Sequence, residues 1–213
     1  MHREHDNIYS RESTGMQAQF TARVLSYCLG KGKLTLKGRR QTPWLEITRS
    51  EIDRDYLGHQ LWILRNLHDG PVDSVWDHID SDGYYDNVRL RMHGEGLWRA
   101  YELLSPRDKP VISKEVLSVA GEKGIAALWL DQGRFVGGQK RGRGQIKGRY
   151  TPEEYDNITT WLCESGVPAC VHHNHLEKPI EICIKKNGLL ALFEIIRPLI
   201  HVSMKKKLRP AKK

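Results

Sequence analysis

The chain has 213 residues, 34 Lys and Arg against 26 Asp and Glu, and 39% hydrophobic residues; that content suffices for one large core or two small ones and excludes a disordered or collagen-like chain. No apolar run approaches the ~18 residues of a membrane span, and the opening MHREHDNIYSREST is too charged for a signal peptide, so an intracellular, soluble protein with no membrane partner is expected. Six of the cations and no anion lie in the tail 204–213, which leaves the body nearly neutral within a net charge of +8. A polyanion-binding surface on such a body has to gather its cations locally. Taken alone, the tail is a solvated terminus.

In chain order, helical periodicity over 17–30 is followed by period-two strands at 33–39 and 44–49 and a helix over 51–67. A strand pair ending near His93 and a helix over 95–104 complete a first half. The segment Ser105-Pro106-Arg107-Asp108-Lys109-Pro110 interrupts the helical pattern with two prolines and reads as a linker. The second half has a helix over 116–132, a strand at 141–149 and a helix opening at the cap Thr151-Pro152-Glu153-Glu154. Strands at 169–173 and 180–185 and a helix over 188–200 close it. The expectation is an α+β protein of two pseudo-symmetric α-β-β-α-β-β-α repeats whose antiparallel sheets form a DNA-binding saddle. Its parts are an N-terminal extension 1–16, a first repeat 17–104, a linker 105–114, a second repeat 115–203 and the tail 204–213.

The outward strand faces carry the functional signal. Leu34 and Leu36 point to the core, and Lys33, Thr35, Lys37 and Arg39 point out, with Arg40 next to them. Leu45 and Ile47 face in, and Trp44, Glu46 and Thr48 face out. Val88, Leu90 and Met92 oppose Arg89, Arg91 and His93, while Arg141, Arg143, Gln145, Lys147 and Arg149 share one parity. Ile180, Ile182 and Ile184 are expected inside, with Glu181, Cys183 and Lys185 outside. A solvated face with a chance excess of Arg is the plain explanation. A face with Arg, Lys, Gln, His and Glu at every second position also has the donors and acceptors that read base edges in a major groove, with cations for phosphates. The deep, narrow major groove of duplex RNA does not admit a sheet, so duplex DNA is the better match.

Four cysteines, Cys28, Cys163, Cys170 and Cys183, occur without a C-x-x-C pair, as reduced thiols do. Cys170 lies near His172, His173 and His175, which raises zinc. A structural zinc site pairs ligands at two separated positions, and this cluster has no evident second pair, so no metal is expected there.

The first helix of each half carries small residues (Ala22, Ser26 and Gly30; Gly124 and Ala127) that let two backbones approach, so these helices are expected to pack at the centre with their C-terminal ends side by side. The segments VLSYCLGKG and IAALWLDQG at those ends, with ITRSEIDRDYL, YTPEEY and IIRPLIHVSMKKKL, resemble the single-chain, two-motif LAGLIDADG homing endonucleases over residues 17 to 208. In that family one carboxylate before the last glycine of each motif binds the divalent metals that drive phosphodiester hydrolysis. The resemblance maps those positions onto Lys31 and Gln132. A charged lysine repels Mg²⁺ and an amide is a weak ligand. Asp131 is the possible substitute, but neighbouring helix residues are about 100° apart, which turns it away from the central site. The resemblance also makes Lys109 and Lys207 accessory basic residues.

The reading is therefore a sequence-specific duplex-DNA-binding protein, derived from a homing endonuclease and deficient in cleavage, that works as a monomer. Repression, competition with an active nuclease and assistance to intron RNA folding are uses the resemblance permits. No cofactor is expected. The alternative is an active or nicking endonuclease that uses Mg²⁺ in a site rearranged around Asp131.

Overall fold

The computed structural model describes the backbone of residues 3–38, 41–68, 73–79, 87–106, 109–137 and 142–208, with side chains from residue 15 onward except those of 73–79. The first repeat runs α1 (Arg3–Leu29), β1 (Gly32–Lys37), β2 (Thr42–Ser50), a one-turn 3-10 helix (Glu51–Asp53) leading into α2 (Arg54–Asn66), β3 (Asp73–Ile79), β4 (Asn87–His93), a second such turn (Glu95–Leu97) and α3 (Trp98–Leu104). The second repeat runs α4 (Lys114–Gln132), β5 (Gly133–Val136), β6 (Arg143–Ile146), α5 (Pro152–Glu164), β7 (Ala169–His173), β8 (Pro179–Ile184) and α6 (Lys186–Ile196). Short 3-10 helices at Arg197–Leu199 and Val202–Leu208 follow. Both sheets are antiparallel with the same strand order, β1-β2-β4-β3 and β5-β6-β8-β7. Among the described residues no helix is long and apolar enough to cross a membrane.

The main core cluster runs through both repeats, because α4 and the C-terminal part of α1, from Phe20 to Leu29, are largely buried and pack on each other. Ser113 starts α4 as its N-cap, its hydroxyl accepting from the Val116 amide at 3.2 Å. The helix kinks at Gly121, whose φ of 53° strains any side-chain-bearing residue. Ala120, just before the kink, turns its carbonyl to the Ser26 hydroxyl of α1 at 3.3 Å. Gly124 lies against Leu29, so the small residues do permit the close approach expected of them.

Period-two burial in β1, β2 and β4 places Leu34, Leu45, Ile47, Val88, Leu90 and Met92 in the core, as expected. Elsewhere the boundaries differ. The helix expected from residue 17 begins at Arg3, and residues 204–208, read as tail, form the last 3-10 helix with Met204 buried against Tyr56 and Leu130. The strand expected over 141–149 is only β6, because the Lys147 amide leaves the ladder to donate to the Gln132 carbonyl at 3.3 Å. Ile180, expected inside, is 39% exposed. It is the extra residue where His172 pairs with Glu181 and His173 with Pro179, and a bulged residue has no partner to hold it on either face. β5, which directly follows the second motif, was not expected.

Candidate nucleic-acid interface

β1 and β5 leave directly from the ends of α1 and α4, so each sheet starts at the molecular centre and extends outward from it. On the first sheet Lys33, Thr35 and Lys37 are exposed, and Trp44, Glu46, Thr48, Arg89, Arg91 and His93 are half-buried on the same face. Glu46 gathers the cations: its Oε2 lies 3.1 Å from Arg91, 3.4 Å from Lys37 and 3.6 Å from Arg89. Burial alone would raise the Glu46 pKa. The Arg91 hydrogen bond and the Arg89 and Lys37 charges outweigh it and hold the carboxyl below its ordinary value. Trp44 stacks on His93 at 4.5 Å and under the Lys37 ammonium at 5.7 Å. Arg39, Arg40 and Arg141 lie outside the described residues.

The second sheet uses Glu181 in the same way. Its carboxylate, only 3% exposed, lies 3.2 Å from Lys147, 3.4 Å from His172 and 3.7 Å from Arg143, and accepts from Gln145 Nε2 at 2.6 Å. Burial would raise its pKa too, but the Lys147 and Cys183 hydrogen bonds and the Lys147 and Arg143 charges bring it below the ordinary value. Gln145, expected to face solvent, is itself buried at 4% by these neighbours. Arg143, Lys147, Arg149 and Lys185 are exposed, the last at the N-cap of α6 beyond the strand. Arg134 on β5 was missed: it is exposed, and its Nε donates to Gln145 Oε1 at 3.0 Å. The signal was Lys33, which stands one residue past the first motif as Arg134 stands past the second.

At the centre the two motif ends touch, and Gln132 Nε2 donates to the Gly30 carbonyl at 3.2 Å. Lys31 is exposed and Gln132 half-buried. Asp131 does not reach this surface. Its carboxylate is held bidentately by Arg49, Nη1 to Oδ1 at 2.6 Å and Nη2 to Oδ2 at 3.1 Å, with both side chains 1% exposed. Oδ2 also accepts from the Lys31 amide at 3.0 Å, over Gly30, where a Cβ would overlap it. Arg49 donates further to Gln60 at 2.9 Å and covers the Tyr56 ring at 4.4 Å. The inward parity of Arg49 was legible in the sequence, and a buried guanidinium demands a carboxylate. That demand was the missed clue to Asp131.

Lys207 reaches the centre, its Nζ donating to the Gly133 carbonyl at 3.3 Å and its carbonyl accepting from Trp129 Nε1 at 3.1 Å. Burial lowers its pKa, with Asp131 opposing and Lys31 adding to the shift. Lys109 is exposed between α3 and α4, and no described contact ties it to the motif ends. The side chains at the surface of the motif ends are thus an exposed lysine and a half-buried carboxamide, which do not suit a hard divalent cation that takes oxygen ligands, carboxylates above all.

No protein-family model and no curated protein matches the chain. Solved structures do. The chain is similar to "The homing endonuclease I-WcaI bound to its DNA recognition sequence", with 16% identity and a TM-score of 0.71 over 92% of this chain and 88% of that one. It is similar to mesophilic variants of the homing endonuclease I-DmoI, with 17% identity and a TM-score of 0.54 over 87% and 98%. A full-length DUF199/WhiA protein from Thermatoga maritima aligns with 11% identity and a TM-score of 0.51 over 90% of this chain and 58% of that one. With two like-ordered sheets around a touching helix pair, and with this likeness to the homing endonuclease structures, the chain has the single-chain, two-repeat fold of the LAGLIDADG homing endonucleases.

Proposed function

We propose that this chain is a sequence-specific duplex-DNA-binding protein that holds its site as a monomer and does not hydrolyse it. The observation that carries the reading is the burial of Asp131 against Arg49. The motif ends keep one carboxylate, and it is already engaged by a guanidinium and a backbone amide. Lys31 stands in its place at the surface. A cation at a helix C-terminus is favoured by the helix dipole and neutralises a phosphate directly. The DNA bound by the I-WcaI homing endonuclease supports the choice of ligand. The sheet faces supply the readout: Arg89, Arg91 and Arg143 for guanine edges, Glu46 for cytosine, and Lys33, Lys37 and Lys147 for phosphates, while Gln145, buried between Arg134 and Glu181, positions its neighbours.

The test is retention of a randomised duplex library by the purified chain in Mg²⁺ or Mn²⁺, with cleavage scored on the same molecules. Retained, intact, sequence-enriched duplex at one chain per site, released steeply by salt, is expected. Cleaved product, an obligate pair of chains per duplex, or retention indifferent to salt would overturn the reading.

A further inference from the structure

The β7–β8 hairpin brings together four ligand-type side chains that are far apart in spacing but adjacent in register. Cys170 stands directly opposite Cys183, and His172 directly opposite Glu181. Residues two apart in a strand share a face, so the four form a two-by-two block. Directly opposed Cβ atoms lie about 4.5–5.5 Å apart. Glu181 and Cys183 are the second pair that the Cys170 and His172 cluster lacked along the sequence.

The donor atoms of His172, Glu181 and Cys183 all lie within 4.8 Å of one another. Glu181 Oε1 is 3.4 Å from His172 Nδ1 and 3.5 Å from Cys183 Sγ. A tetrahedral zinc site with bonds of ~2.0–2.3 Å has edges of about 3.3 Å between N and O and about 3.6 Å between O and S, so Glu181 already stands at ligand spacing from His172 and Cys183. Cys170, exposed and not part of this group of three, has to turn its side chain toward it to complete the four. The carboxylate is also braced from behind, by Gln145 at 2.6 Å and by Lys147 on its other oxygen at 3.2 Å. Such outer hydrogen bonds orient metal-binding carboxylates. Each oxygen has two lone pairs, so Oε1 accepts an ion without giving up Gln145.

We propose that Cys170, His172, Glu181 and Cys183 bind one Zn²⁺-class ion on the outer hairpin of the second repeat. Two thiolates and an imidazole select a borderline-soft cation over Mg²⁺ or Ca²⁺. The charge also balances. Two thiolates, a carboxylate and a divalent ion carry the same net charge as the Glu181 carboxylate alone, so Lys147 and Arg143 meet no added positive charge. Among the described residues the first sheet, with Arg89 and Arg91 on the matching strand, offers no such set. The site is independent of the reading of the motif ends.

The experiment is a Co²⁺ titration of the full chain, stripped of metal and kept reduced, followed by absorption. One Co²⁺ per chain is expected, with a thiolate charge-transfer band and the intense visible bands of a tetrahedral site, displaced by Zn²⁺ and not by Mg²⁺. Cys170 and His172 are exposed, so Cys170→Ser and His172→Ala leave the fold intact by circular dichroism. Each is expected to weaken binding by more than the ~10-fold that loss of an outer-shell partner costs. Cys163→Ser and His175→Ala are expected to change neither band. No thiolate band in excess Co²⁺, or a band that survives in both Cys170→Ser and His172→Ala, would overturn the proposal.

Discussion

The two sheets have the same strand order and start at equivalent glycines, yet their outer faces differ. Across the first sheet Lys33 pairs with Glu46 and Glu46 with Arg91; across the second Arg134 pairs with Gln145 and Gln145 with Cys183. A row of cation, carboxylate, cation is answered by cation, amide, thiol, and the carboxylate moves to Glu181. Among the described side chains each face sets one carboxylate, Glu46 or Glu181, among several cations, which holds the long side chains in place. The centre is divided more sharply. Gly32 pairs with Ile47 as Gly133 pairs with Ile146, so Arg49 corresponds to Gly148, and Asp131 to Gly30. The ion pair therefore crosses the molecular axis in one direction only, with glycines at both matching positions.

The largest way to break this asymmetry is to remove one partner of the pair. Arg49→Met leaves Asp131 buried without its cation and is expected to cost about 3–5 kcal/mol in denaturant unfolding. Combining it with Asp131→Leu is expected to recover most of that loss, because two apolar groups need no charge partner. A double variant no more stable than Arg49→Met alone would show that the two side chains are not coupled.

DNA affinity sharpens the comparison of the faces. Arg91→Ala or Arg143→Ala is expected to cost about 1–3 kcal/mol and relax preference at one base pair. Lys147→Ala is expected to weaken all sequences alike and reduce the salt slope by about 1. Equal effects on all sequences from all three would mean that neither sheet reads bases.

The smallest effect is in acid. Glu46 and Glu181 have folded pKa values below the unfolded value of about 4.3. Their contribution to stability is present above that value and is lost as pH falls through the folded one. Stability is expected to drop below about pH 4, and less steeply in Glu181→Gln or Glu46→Gln; pH-dependent thermal unfolding measures it. An unchanged slope in both variants would assign the acid sensitivity to other groups.

Most of the fold was legible because alternation and helix caps are local signals. Lys33, Lys37, Arg89 and Arg91 follow from parity alone. The site at the centre was not legible, since the Arg49–Asp131 pair joins residues 82 apart and depends on how two helix ends meet. The same holds for Gln145 and Glu181, polar by type and buried only because opposing strands bring their partners over them. Arg134 was missed for another reason: β5 is four residues long and too short to show a period.

The central claim is that the motif ends hold DNA without the carboxylates that hydrolysis needs. It is tested most directly by comparing the parent chain with Lys31→Asp/Gln132→Asp on the duplex each retains, in Mg²⁺ and in Mn²⁺. The parent is expected to bind and leave the duplex intact. The double variant is expected to gain metal-dependent cleavage, and each single variant less, because one carboxylate cannot hold a two-metal arrangement across the axis. Robust cleavage by the parent chain would contradict the account.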